Sequence, residues 1–331
     1  MSPAAIALVL AAAVAHASWN LFGKQAAETG AAFFVWLLAA SAGVLYLPVV
    51  IVTVIVASPR LTGLNWLFLA GTGLLHGGYF LFLQLGYRMG DLSLAYPIGR
   101  GTGALLAALA GIVLLGERPT LIGYAGILAI VAGVVAIGLP ARKASGTPDP
   151  EPIAAAMPAT GTSQGHVALA TDDQARATSR PQRRRRYSGS ATAAAIGFAL
   201  VTGLFIGCYT IWDKYAVSNL HTEPVLQGYA GFPLMMAVFT PFVLRDRTRL
   251  ASVWRAFKPQ VLGAAALSPL AYMLVLVALS FTAVSAVAPA REVSVLFGVL
   301  LGGRLLGEGS LTRRLTAAAA IVAGIIAIAI A

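Results

Sequence analysis

The sequence predicts an all-α integral membrane protein, with ten transmembrane helices in an inverted 5+5 repeat. Three observations lead there. Hydrophobic residues make up 58% of the 331-residue chain and charged residues 11%, against roughly 25% charged in an average soluble domain. Apolar runs of about twenty residues recur, the length at which a helix crosses a bilayer, without the alternation of a barrel strand. The second half also repeats landmarks of the first at a near-constant offset.

The runs place helices over 3–22, 31–56, 64–86, 92–115 and 120–139, then over 192–213, 223–244, 259–280, 282–305 and 311–331. The first run ends in Ala15-His16-Ala17, which imitates a signal-peptidase site. No Lys or Arg precedes Lys24, however, and the run has a counterpart later in the chain, so it reads as a retained first helix. The division between 259–280 and 282–305 rests on a very short turn.

The repeat is visible in detail. LLGERP (114–119) matches LLGEGS (305–310), Arg100 matches Arg291, and Lys24 matches Lys214 within one residue. Gly99, Gly103, Ala107 and Gly111 form a stripe of small residues, mirrored by Ala290, Ser294, Gly298 and Gly302. Such stripes let membrane helices pack closely. A unit with an odd number of spans inverts its second copy, the plan of many secondary carriers. The chain therefore divides into a first five-helix repeat (1–139), a linker (140–191) and a second repeat (192–331).

The linker is rich in Pro, Ala, Ser, Thr and Gly, carries Arg183 to Arg186, and has no apolar periodicity, so disorder is expected. Its Gly161-Thr-Ser163-Gln-Gly165 has the form of a nucleophile elbow but lacks the strand–turn–helix setting that motif needs. The net charge of +11 lies mainly in loops, where it sets orientation; a nucleic-acid partner is not expected. Odd-numbered loops hold 18 Lys and Arg and even-numbered loops 3, which places the odd loops and the linker in the cytoplasm and both termini outside. The lone Cys208 lies within a span and offers neither a disulfide nor a metal site.

HASWNLFGK (16–24), GDLSLAYPIGRG (90–101) and LLGERPTLIGYAGILAIVAGV (114–134) resemble the EamA repeat of the drug/metabolite transporter superfamily. REVSVLFGVLLGGRLLGE (291–308) resembles a second copy. The resemblance implies a secondary carrier with ten helices, a central cavity and alternating access. It also implies termini in the cytoplasm, opposite to the charge count.

Two arginines carry the functional expectation. Arg100 lies about 12 Å along its helix, near mid-bilayer, and Arg291 enters its own helix similarly from the opposite face. Each costs at least ~2.5 kcal/mol unless it faces protein or water. The guanidinium fork suits carboxylate or phosphate oxygens, so the expected substrate is a small organic anion. The alternatives are a neutral or cationic metabolite or drug, or an integral-membrane enzyme acting on a lipid-linked or phosphorylated substrate. Glu292 reads as a proton carrier or, favoured by adjacency, a counter-ion to Arg291. Because neighbours on a helix diverge by about 100°, a partner on another helix is also open. His16 and Asn20 share a face, with Trp19 beside them; His76 and Tyr79 share another; Tyr96 precedes Arg100 by one turn. All are candidate pocket residues, with interhelical hydrogen bonding the rival role for each histidine. Trp212 and Asp213 are ambiguous between anchor and site. Lys24 and Lys214 are expected to snorkel, and Glu117 and Glu308 to act at helix ends near water. No cofactor, metal site or ATP-binding motif is expected. Coupling would use a proton, ion or counter-substrate, in the inner membrane of a prokaryote.

Overall fold

The computed structural model describes residues 3–115, 120–139, 188–279, 292–308 and 311–330. Among them no strand occurs. The first half holds α1 (Pro3–Gln25), α2 (Ala31–Ala57), α3 (Gly63–Met89), α4 (Leu92–Leu115) and α5 (Leu121–Gly138). The second holds α6 (Gly189–Ser218), α7 (Pro224–Tyr229), α8 (Gly231–Val243), α9 (Arg247–Leu279), α10 (Ser294–Leu305) and α11 (Leu311–Ile330). Seven segments of the described residues are long and apolar enough to cross a membrane. Val44, Ile55 and Val56 on α2, and Leu121 and Leu128 on α5, are exposed. These uncovered apolar side chains are what a bilayer would solvate, as expected of an integral membrane protein.

Helix starts follow local capping. The Thr62 backbone N–H donates to Asn65 Oδ1 (2.9 Å) in a capping box that opens α3. Ser188 accepts from the Ala191 N–H (3.2 Å), so α6 begins at Gly189, three residues before the expected 192. Glu223 accepts from the N–H groups of Val225 (2.7 Å) and Leu226 (3.0 Å) to start α7.

Two expectations change. The run 223–244 is not one helix: it breaks at Ala230, where Pro233 lacks an N–H and its ring crowds the carbonyl of Tyr229. The stretch 245–258, expected as a loop, is helical from Arg247. Leu250, Val253, Trp254 and Phe257 recur at helical spacing and pack on the core, while the arginines face out. The helix kinks at Phe257 (φ −125°, ψ 19°), just before Pro259.

Packing is set by close approaches. On the seam between α5 and α11, a methyl added at Gly126 would lie 2.6 Å from the Gly324 carbonyl oxygen, and one at Gly133 would lie 2.7 Å from that of Ala317. The expected stripes do pack. Gly99 and Gly103 face α6, while Gly298 receives the Tyr96 ring and Gly302 the Glu308 carboxylate. Side chains 107 and 111 and residue 290 lie outside the described residues. α3 packs along α6 as α9 packs along α1. Linker residues 140–187, with the Gly161–Gly165 motif and the arginine run, also lie outside the described residues, as do Glu117 and Arg291.

Candidate functional site: a cavity between the two halves

A cavity of about 140 Å³ lies between helices of both halves. The first half contributes Ala12, His16 and Trp19 from α1, Tyr46 from α2, His76, Tyr79 and Phe80 from α3, and Arg100 from α4. The second contributes Tyr209 and Asp213 from α6, Tyr229 from α7, Phe232 and Met235 from α8, and Tyr272 from α9. The wall is rich in aromatic rings, with His16, His76, Arg100 and Asp213 among the described residues that can carry charge.

Arg100 is 4% exposed and gripped at both ends of its fork by Glu292. Its Nε donates to Oε2 at 3.0 Å, and its Nη2 donates to Oε1. Glu292, in the turn before α10, thus pairs with a residue on another element, α4; its expected pairing with Arg291 lies outside the described residues. Both groups are buried, and a bidentate pair is the arrangement that makes such burial tolerable.

The second polar group is looser. Asp213 Oδ1 accepts from Thr72 Oγ1 and from Gln227 Nε2 (3.0 Å). Its Oδ2 faces His76 Nε2 at 3.9 Å, beyond hydrogen-bond reach. His76 Nδ1 lies 3.0 Å from the Thr72 carbonyl oxygen, and its ring stacks on Tyr209 at 4.3 Å.

Of the residues expected from sequence, His16, Trp19, His76, Tyr79 and Arg100 line the cavity, and Glu292, Tyr96 and Asn20 stand behind it. Tyr96 shares a hydrogen bond with Ser294 (2.8 Å). Asn20 donates to the His16 carbonyl (2.7 Å) and accepts from the Tyr87 hydroxyl. Trp19 Nε1 donates to His16 Nδ1 (3.3 Å). Trp212 stacks on Phe68 and donates to that residue's carbonyl at 2.8 Å. Tyr46, Tyr209, Tyr229 and Tyr272 were not anticipated. Tyr209 and Asp213 lie four apart on one face of α6, the same spacing that flagged His16 and Asn20.

A separate polar cluster ties helix ends together away from the cavity. Lys24 does not snorkel; its Nζ donates to the carbonyls of Tyr87 and Gly90, at the end of α3. Glu308 accepts from the N–H groups of Leu92 and Ser93 (2.7 Å each), capping α4 rather than its own helix. Arg314 pairs with Asp91 at 2.6 Å and lies 3.8 Å from Glu308. The Glu308 side chain is buried rather than near water. Burial and the Asp91 charge push its carboxyl above the ordinary range, against the lowering effect of the Ser93 and Leu92 hydrogen bonds.

The model of the EamA-like transporter family matches residues 3–139. This chain carries an EamA-like transporter domain. The stretches at 16–24, 90–101 and 114–134 fall inside the matched residues, and the resemblance of 192–331 to a second copy falls outside them. The EamA-like family is one of membrane transporters of small molecules, and the match covers the first part of this chain. A solved crystal structure of a protein shares the fold at 15% identity, with a TM-score of 0.54 over 98% of each chain. No curated protein matches. Among the described residues, no group of three or more His, Cys, Asp or Glu is placed to hold a metal ion.

Proposed function

We propose that the chain is a secondary transporter that moves a small organic molecule by alternating access, with the substrate held in the cavity between its halves. The observation that carries this is the cavity's double parentage: α1 to α4 form one wall and α6 to α9 the other. An inverted ten-helix repeat is supported by the packing of α3 on α6 and of α9 on α1, pairs that the repeat relates. Helix ends at Lys24, Asp91, Glu308 and Arg314 are tied together, while the cavity reaches toward the start of α7. That asymmetry suits one state of a carrier closed at one end. The lysine and arginine bias puts the tied end in the cytoplasm of a prokaryotic cell and both termini outside.

The anionic substrate suggested by the two arginines meets an obstacle. An anion at Arg100 must displace Glu292 from both ends of the guanidinium. The better-supported role for that pair is to join α4 to the segment before α10, with the substrate bound elsewhere in the cavity.

Counterflow in proteoliposomes tests the transport reading. A carrier accumulates labelled compound transiently against a preloaded unlabelled pool and returns it unchanged. A new chemical species would instead establish an enzyme, and equilibration without overshoot a channel.

A further inference from the structure

We propose that the cavity takes an organic cation, and that Asp213 and His76 form the acceptor pair for its ammonium group. The proposal rests on the transport reading and names the substrate class of the same cavity.

The charge balance comes first. Among the described residues at the cavity, Arg100 is neutralised by Glu292 at both ends of its fork. With both lining histidines, His16 and His76, in their neutral forms, Asp213 is the remaining charge among the described residues, and the site is net negative.

The geometry of the pair comes second. Thr72 and Gln227 both donate to Asp213 Oδ1, so the carboxylate is held in place from one side. Among the described residues no donor bonds Oδ2. On the other side, His76 Nδ1 sits 3.0 Å from a carbonyl oxygen, which can only accept. The hydrogen bond requires the proton on Nδ1, which leaves the neutral ring's Nε2 as a lone pair. Two acceptors then face each other at 3.9 Å. An ammonium group carries three donors and satisfies both without moving either, the preorganisation that favours binding.

The walls come third. Tyr209 stacks on His76, with Tyr79 edge-on to both, and Trp19 and Tyr229 line the same space. Aromatic faces attract cations and repel carboxylates. A proton on His76 Nε2 would donate to Asp213 Oδ2 and close the pair. Protons and substrate therefore compete for the same two atoms. The other charged or titratable groups at the cavity are His16 on α1, Tyr79 on the helix of His76, Tyr209 on α6 and the Arg100–Glu292 pair.

The test uses the purified full chain in lipid nanodiscs and isothermal titration with a series of primary ammoniums from methylammonium to phenethylammonium. Each aryl member is matched by its carboxylate and alcohol isostere. The expected result is saturable binding of at least one ammonium, at least tenfold tighter than its isosteres. The affinity should fall as the pH is lowered, because protons compete with the ammonium for the same two atoms. Asp213→Asn should weaken that ammonium tenfold or more, and His76→Gln should flatten the pH dependence. The isostere comparison is made on the wild type, so it stands even where a variant fails to fold. Preference for the carboxylates, or no ammonium binding across the series, overturns the proposal. Equal affinity in a folded Asp213→Asn variant also overturns it. Counterflow of the bound ammonium is read separately: binding without counterflow refutes the transport reading and leaves the cation site standing. Counterflow of carboxylates alone does the reverse.

Discussion

Two acid–base pairs reach the cavity, and they are built in opposite ways. Arg100 and Glu292 interlock through both ends of the guanidinium, and both are buried. His76 and Asp213 stand 3.9 Å apart, each partly exposed, with the acid anchored by neutral groups instead of by its charged neighbour. In a low-dielectric interior, a satisfied pair is a fixed joint and an unsatisfied one is an open valence. On the proposed reading, the arginine that looks functional in the sequence is the structural member, and the aspartate near a helix end carries the free acceptor.

The most direct way to break this contrast is to remove one partner of the tight pair. Arg100→Leu removes the bidentate partner of the buried Glu292 and should cost about 3–5 kcal/mol, read as a large fall in the thermal unfolding midpoint. Replacing both with methionine should recover most of the loss, because the buried carboxylate goes with its partner. An Arg100→Leu protein as stable as the wild type would mean that the pair is open to water and available to a substrate.

A smaller effect is expected at the tied helix ends. Glu308→Ala orphans the N–H groups of Leu92 and Ser93 at the start of α4, and losing such a cap costs about 1–2 kcal/mol. Glu308→Gln keeps an acceptor and should lose less. If the closed end is one state of a carrier, Glu308→Ala should also raise the reactivity of a cysteine placed at Ser93. Unchanged reactivity alongside a lowered midpoint would leave the cluster purely structural.

These contrasts show what the sequence could and could not disclose. The helices were legible because bilayer thickness imposes a length on every span, and hydropathy records it. The break at Ala230 was not, because Gly and Pro are tolerated inside membrane helices and only tertiary packing decides whether one breaks. His16, Trp19, His76, Tyr79 and Arg100 were legible because polar or aromatic side chains in an apolar run need a reason to be there. The tyrosines at 46, 229 and 272 were not, since a ring serves equally well as lipid anchor, core or cavity wall. The Arg100–Glu292 pair spans 192 residues of sequence, a separation over which local spacing carries no information about contact.

The Glu308 carboxyl gives a pH signature. Its value in the folded chain is raised above the ordinary 4.5, by burial first and by Asp91 second. A raised carboxylate binds its proton more tightly when folded, so its contribution to stability is fully present below the ordinary value. It is lost as pH rises through the raised one. The stability advantage of wild type over Glu308→Gln should therefore shrink as pH is raised from about 4 toward neutrality. A gap that widens instead would mean that Arg314, 3.8 Å away, outweighs burial.

The smallest change in stability should come from the loose pair. Asp213→Asn keeps an acceptor for Thr72 and Gln227 and removes a charge that His76 does not neutralise at hydrogen-bond distance. Exposed or part-exposed pairs of this kind are worth about 0–1 kcal/mol, so the unfolding midpoint should move little, in contrast to Arg100→Leu. Removing an uncompensated negative charge can even stabilise the empty protein, because the cavity no longer holds an acid that only a cation would satisfy. A fall in stability as large as that of the Arg100 variant would mean that Asp213 is as firmly committed as Glu292. Both pairs would then be joints, and the cavity would have no free acceptor to offer.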